Sequence, residues 1–323
     1  MGQKNRPLRW SLLVLAFVIA GGGVVWAERR TVYDWSRLYN YTPPQDIAAL
    51  ANNTTMNDLG RHIYYVQHPE VDAKLAFNSH CRSDEQTIVL GCYIQAQGIY
   101  TLKVDDTRLA GVEEVTAAHE LLHAAYDRLS SGERQQIDAE ITAVYARVTN
   151  ERIRTTIDAY RKAGADVANE LHSILGTEVA SLSPTLETHY KKYFTDRQKV
   201  VRYSEQYESA FNERKAKVDA YTQTLTSLKK QIEAQEADLV ASGKQIDDSR
   251  AVMDKQLADH QIDAFNSSVP GFNKQVNAYN GLVAKTKSDI DTYNKTLEDR
   301  NALALEEQQL FKAIDSRPFT EKN

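Results

Sequence analysis

Between Pro184 and Pro270 the chain has no proline, and Gly243 is its one glycine. Along that stretch Phe211, Val218, Leu225, Ile232, Leu239, Ile246 and Met253 recur at every seventh position, and all are apolar. A seven-residue period sustained this long demands a helix with one apolar seam, and such a seam must be covered by another helix. The companion positions Val200, Tyr207, Tyr221 and Leu228 are apolar too, but Gln235, Ser242, Ser249 and Gln256 are not. A loosely packed seam, or one that awaits a coiled-coil partner or a second copy, is expected. A second register, Val276, Val283, Ile290, Leu297, Ala304 and Phe311, has companions at Phe272, Tyr279, Tyr293 and Ile314. The turn residues at 267–271 lie between the two registers. They predict an antiparallel helical hairpin over residues 196–316 with its bend there, and a short tail at 317–323.

Strand signals are confined to 61–105. Ile63, Tyr64, Tyr65 and Val66 make one short candidate. The β-rich segments 87–95 and 99–104 flank Ala96-Gln97-Gly98 and read as a hairpin. A strand over 99–104 is either suited to edge pairing with an extended substrate or an ordinary core strand. The only two cysteines, Cys81 and Cys92, most simply form one disulfide.

From about residue 110 the pattern is helical. One helix is expected over 111–129. Ser130-Ser131-Gly132-Glu133 is a capping box that opens the next. A third runs from Glu151 to Ala163, ended by Gly164, and a fourth begins near Asp166. Ser183-Pro184 opens a further helix, with Ser as cap and Pro in the first turn. The first of these carries His119-Glu120-Leu121-Leu122-His123. Histidines four apart on a helix lie one turn apart on the same face. Two neutral imidazoles so placed can hold Zn²⁺, with Glu120 as the general base that takes a proton from a metal-activated water. Val115, Ala118, Leu122, Ala125 and Leu129 recur at helical spacing, so this helix buries a face.

Zinc hydrolysis needs a third protein ligand and an open fourth position. Glu170 is the first choice and Glu178, two turns on, the second. His172 is a candidate donor to an oxyanion, as are Tyr160, His189, Tyr190 and Tyr193. Asn169-Glu170-x-x-Ser173 resembles the glutamate helix of the gluzincin peptidases, the thermolysin-like group, whose motif is N-E-x-x-S-D. The resemblance covers the two motif helices and implies His119, His123 and Glu170 as ligands with Glu120 as base. The acid that ends the family motif is Ile174 here. In that family it orients a ligand histidine; Asp127 and Glu178 are candidate substitutes, with Asp127 a plain surface acid as the alternative. The blocks at 119–130 and 169–178 also resemble those of a family of bacterial membrane-anchored proteins, which implies nothing about substrate.

The N-terminus reads as a membrane signal. Lys4, Arg6 and Arg9 form a tail at 1–9 and precede an uncharged apolar stretch over 10–27 bracketed by Trp10 and Trp26. A single-pass anchor is expected, with the body outside the cytoplasm, or a secreted form if a signal is cleaved after Ala27. The formal net charge is −5, and the first 30 residues are basic, so the body is acidic and nucleic acid is not an expected partner.

The expected fold is mainly α with a small β-hairpin or sheet: a compact zincin-like α+β catalytic domain at 28–195, followed by the long antiparallel helical hairpin. The expected function is a membrane-anchored zinc metallopeptidase acting on peptide or protein substrates. The alternatives are a non-enzymatic envelope scaffold that works through its coiled-coil arm, with a structural or vestigial metal site, and a hydrolase of a cell-wall amide.

Overall fold

A computed structural model describes residues 29–81 and 88–317. They are mainly helical with one small sheet. Contacts divide them into two units, one reaching to Glu208 and including 312–317, the other Ser209–Phe311.

The first unit begins with helices α1 (Arg29–Leu38), α2 (Gln45–Asn53) and α3 (Asp58–Val66). Strand β1 (Glu70–Asp72), helix α4 (Lys74–His80), β2 (Gly91–Ile94) and β3 (Gly98–Leu102) follow. Then come α5 (Val112–Tyr126), α6 (Ser131–Tyr145), α7 (Glu151–Ala163), α8 (Val167–Glu178) and α9 (Pro184–Tyr190). Helix α5 is the centre of the core. Ala117, Ala118, Leu121, Leu122 and Ala125 are all fully buried, which makes it a helix buried nearly all round rather than a one-sided surface helix. Burial of Leu121 and Leu122 contributes about 1.5–3 kcal/mol each. One side of α5 meets α8, which comes close because residue 176 is glycine: a Cβ there would stand 2.4 Å from Leu122 Cδ1. Strands β2 and β3 also pack on α5. The sheet order is β1-β3-β2, with β1 parallel and β2 antiparallel to β3.

Strand β3 is therefore central, and both its edges are used. Of the two readings of 99–104 the core strand holds and edge pairing there is corrected; the terminal strand beside α5 is β2. Residues 63–66 are helical, not a strand. Asn57 accepts a hydrogen bond from Gly60 N and caps α3. Gly60, Ile63, Tyr64 and Gln67 are buried at the 3,4,7 spacing of a helix face. The capping box at Ser130 and Glu133 forms. Helix α7 ends at Gly164, where Gly164 N donates to Arg161 O and Ala165 N to Tyr160 O in a Schellman turn. Cys81 and Cys92 are disulfide-bonded.

Among the described residues no helix is long and apolar enough to cross a membrane. The expected single-pass anchor is thus corrected as a feature of the described structure; the stretch at 10–27 and the tail at 1–9 lie outside the described residues. Ile47, Leu50, Ala51, Met56, Ile63 and Tyr64 enter the same core cluster as α5.

The helix opened by Ser183-Pro184 stops at Tyr190, and α10 (Arg197–Ala258) starts afresh. Between them the backbone is drawn into pairing: Asn57 N donates to Tyr193 O and Thr195 N to Thr55 O, with a bridge between Met56 and Phe194.

In the second unit, α10 and α11 (Ile262–Ile314) run antiparallel. Phe211 faces Phe311, Arg214 pairs with Glu306, Gln235 meets Asp289, and Ser268 meets Gln256. Every position of the expected α10 seam from Phe211 to Met253, polar companions included, is at least half-buried. The expected α11 register is at least half-buried at Val276, Leu297 and Ala304 and at the companions Phe272, Tyr279, Tyr293 and Ile314; Val283, Ile290 and Phe311 are more exposed, whereas Thr286 and Leu310 are buried. Polar pairing also holds the two helices together. Asp289 accepts from Gln231 and Gln235 of α10 at 2.6 and 2.7 Å and from Lys285 at 3.0 Å. The bend lies at 259–261, not at 267–271, and Pro270 sits inside α11. His260 takes the left-handed conformation, φ 59°, with His260 N bonded to Leu257 O and Gln261 N to Gln256 O. That is a Schellman turn without glycine. Because Ser268 stands opposite Gln256, the chain must reverse before it.

Candidate functional site

His119 and His123 project from one face of α5, with their Nε2 atoms 3.0 Å apart. Glu170, in the first turn of α8, brings Oε2 to 3.8 Å from His119 Nε2 and 3.7 Å from His123 Nε2. The three atoms form a nearly isosceles triangle whose short side joins the two histidines. A tetrahedral zinc ion at 2.0–2.1 Å from each ligand would separate them by about 3.3 Å. Glu170 Oε2 is buried and accepts no hydrogen bond of ordinary length. Two imidazole nitrogens and an orphaned carboxylate oxygen thus converge on one point, and this donor set fits Zn²⁺. The side chains of His119, His123 and Glu170 keep 17%, 11% and 16% exposure, while Glu170 Oε2 itself is buried.

Local sequence explains how the triangle is held. Asp166 caps α8 by accepting from Ala168 N and Asn169 N, which places Asn169 and Glu170 in the first turn. Asn169 Oδ1 lies 2.9 Å from His123 Nδ1. The amide oxygen accepts a hydrogen bond from Nδ1–H, which leaves the Nε2 lone pair directed at His119 and Glu170. Tyr160 of α7 hydrogen-bonds Glu170. Asn169 and Tyr160 therefore do the orienting sought from an acid at position 174, where Ile174 is buried in the core. Asn169 was visible in the motif, but its contact joins residues 46 apart and depends on how α8 crosses α5.

Electrostatics follow the same geometry. Burial lowers the His123 pKa to about 4, helped by the neighbouring His119, and so keeps His123 neutral. Burial also opposes charge on His119, but Glu170 and the carboxylate of Glu120 outweigh it and hold His119 above its ordinary value. Glu170 would be raised by burial, yet the two histidines keep it below the usual range.

Glu120 is 5% exposed. Its carboxylate lies against the backbone at the start of β2, where a Cβ on residue 91 would stand 2.8 Å from Glu120 Oε1 and 2.5 Å from Thr116 Cγ2. Only glycine lets the strand pass.

The remaining candidates are placed elsewhere. The Glu178 carboxylate is engaged by Arg152, which also binds Glu208. Asp127 ends α5 and hydrogen-bonds Tyr93 rather than a ligand histidine. His172 is fully buried, with its Nε2 2.8 Å from that of His189. Burial removes it as a donor to an incoming substrate. Tyr190 is also fully buried, and its hydroxyl donates to His172 O.

This chain matches no family model, no curated protein and no solved structure. Its class must be argued from the site itself.

Proposed function

We propose that the chain is a zinc-dependent metallopeptidase of gluzincin type. The observation that carries this reading is the triangle of His119 Nε2, His123 Nε2 and Glu170 Oε2, with Glu120 buried beside it. A zinc ion held there would supply Lewis acidity, lowering the pKa of water and polarising a carbonyl. Glu120 takes the proton from the attacking water and returns it to the leaving amine. Gly91 keeps the β2 backbone close to that carboxylate. An extended peptide added to the terminal strand β2 would run past it with its backbone paired. Asn169 and Tyr160 hold the ligand atoms in place.

A non-enzymatic partner-binding role for the helix pair is favoured by a different observation. Val283, Ile290 and Phe311 are spaced along the α11 register and exposed at 41%, 37% and 45%.

The test uses the full chain, with bound zinc and hydrolysis of casein-like and peptidoglycan-derived substrates measured with and without chelator. Glu120→Gln is expected to keep the metal and lose at least about 100-fold in kcat; Glu170→Gln is expected to weaken metal binding at least about tenfold. A native chain that binds no zinc, or a Glu120→Gln variant of native activity, would sink the proposal. Turnover of only the wall-derived amide would move the substrate class from protein to cell wall.

A further inference from the structure

A second group of metal-ligating side chains stands apart from the first triad and shares no residue with it. Glu70 and Asp72 are alternate residues of β1 and so project from the same face of the strand. His80 is the last residue of α4. One ligand atom from each of the three lies within 4.8 Å of the other two. The scaffold under them is firm. The His80 ring stacks on Tyr100 with centroids 4.0 Å apart and planes 6° from parallel. Tyr100 is the β3 partner of Glu70 in the ladder. The next residue, Cys81, is buried and tied to Cys92.

A separate observation points to a ligand. Asp72 Oδ2 exposes less than 1 Å² and has no hydrogen-bond partner. An ionised oxygen in that state costs free energy unless a cation meets it. Among the described residues no lysine or arginine forms an ion pair with it; burial raises the pKa of the Asp72 carboxyl, and the neighbouring His80 opposes that rise.

We propose that Glu70, Asp72 and His80 form a second site for a divalent transition-metal ion, with zinc as its natural test ion. One imidazole and two carboxylates suit zinc or manganese; calcium and magnesium favour shells made entirely of oxygen. Glu70 is exposed, so solvent completes the coordination. The ion ties β1 to the end of α4 and meets the orphaned oxygen of Asp72. Its role is to hold the fold, and it does not depend on the peptidase reading.

The experiment is metal content and zinc titration of the full chain. The native chain is expected to hold two zinc ions and His123→Ala one. Adding His80→Ala or Asp72→Asn to His123→Ala is expected to weaken the remaining site at least tenfold. Zinc should raise the Tm of His123→Ala, and Asp72→Asn should abolish that rise while leaving the metal-free Tm equal or higher, because a buried charge is removed. Glu70→Gln, at an exposed position, gives the same affinity readout should either of the other variants fail to fold. Loss of all zinc on His123→Ala, or unchanged stoichiometry and affinity in Glu70→Gln, His80→Ala and Asp72→Asn, would overturn the second site. Retention of one ion by His123→Ala, together with an inactive native enzyme, would leave the second site standing and remove the peptidase reading.

Discussion

His189 and His172 show how one buried pair sets a pH limit on the chain. Burial, with the nearby charge of Lys192, lowers His189 to about 4, and His172 is held well below its ordinary value by burial and by His189. Both stay neutral in the folded chain, while an unfolded histidine takes up a proton near 6.5. Below that pH the unfolded state binds more protons than the folded one. Stability fully present above pH 6.5 is therefore lost as pH falls towards 4. For His189 alone the loss is on the order of 3 kcal/mol. His189→Gln should flatten the slope of Tm against pH in that window; an unchanged slope would refute the assignment. Gly91 gives a second test at this scale. Gly91→Ala drives a Cβ into Thr116 and Glu120. We expect a loss of about 1–3 kcal/mol in stability and a fall in hydrolysis greater than any fall in zinc content. Much of the candidate site was legible in residues: the four-residue histidine spacing and the position of Glu170 both follow from helix geometry. The roles of Asn169, Tyr160 and Gly91 were not, because they exist only after α7, α8 and β2 have been laid against α5.

Elements were legible where local chemistry governs them. The serine cap and glutamate at Ser130 and Glu133, the Asp166 cap and the Gly164 stop each act within a few residues, so they survive folding unchanged. The α10 heptads were legible because seven consecutive heptad positions, Phe211 to Met253, are all apolar. Reading failed where tertiary pairing overrode the local signal. Pro270 suggested a bend, but the antiparallel register places Ser268 opposite Gln256 and moves the reversal to His260. Pro270 then occupies the interior of α11 with no amide hydrogen to give. Pro270→Ala should stabilise the helix pair by up to about 3 kcal/mol, read as a rise in its thermal transition. A fall in that transition would mean that the proline is needed for the bend after all. The four apolar residues 63–66 misled for a different reason. Their length cannot separate a strand from one turn of a buried helix, and only the Asn57 cap decides.

For the molecule as a whole, two kinds of construction meet in one chain. The unit that reaches to Glu208 rests on a mixed core with a small sheet, and Ser209–Phe311 rests on a seam with a polar layer at Gln235, Thr286 and Asp289. The Cys81–Cys92 bond belongs to the first alone. It closes a ring between positions 11 apart, and its loss should cost about 2–4 kcal/mol. Reduction is expected to lower the thermal transition of that unit and to leave the helix-pair transition in place; circular dichroism with and without a thiol reductant would check it, and a joint shift of both transitions would argue against it. Cys92 also follows Gly91, the residue that lets β2 pass Glu120. The bridge therefore anchors the strand that confines the candidate base, and on the proposed peptidase reading a reduced chain should lose turnover while its helical content is still intact.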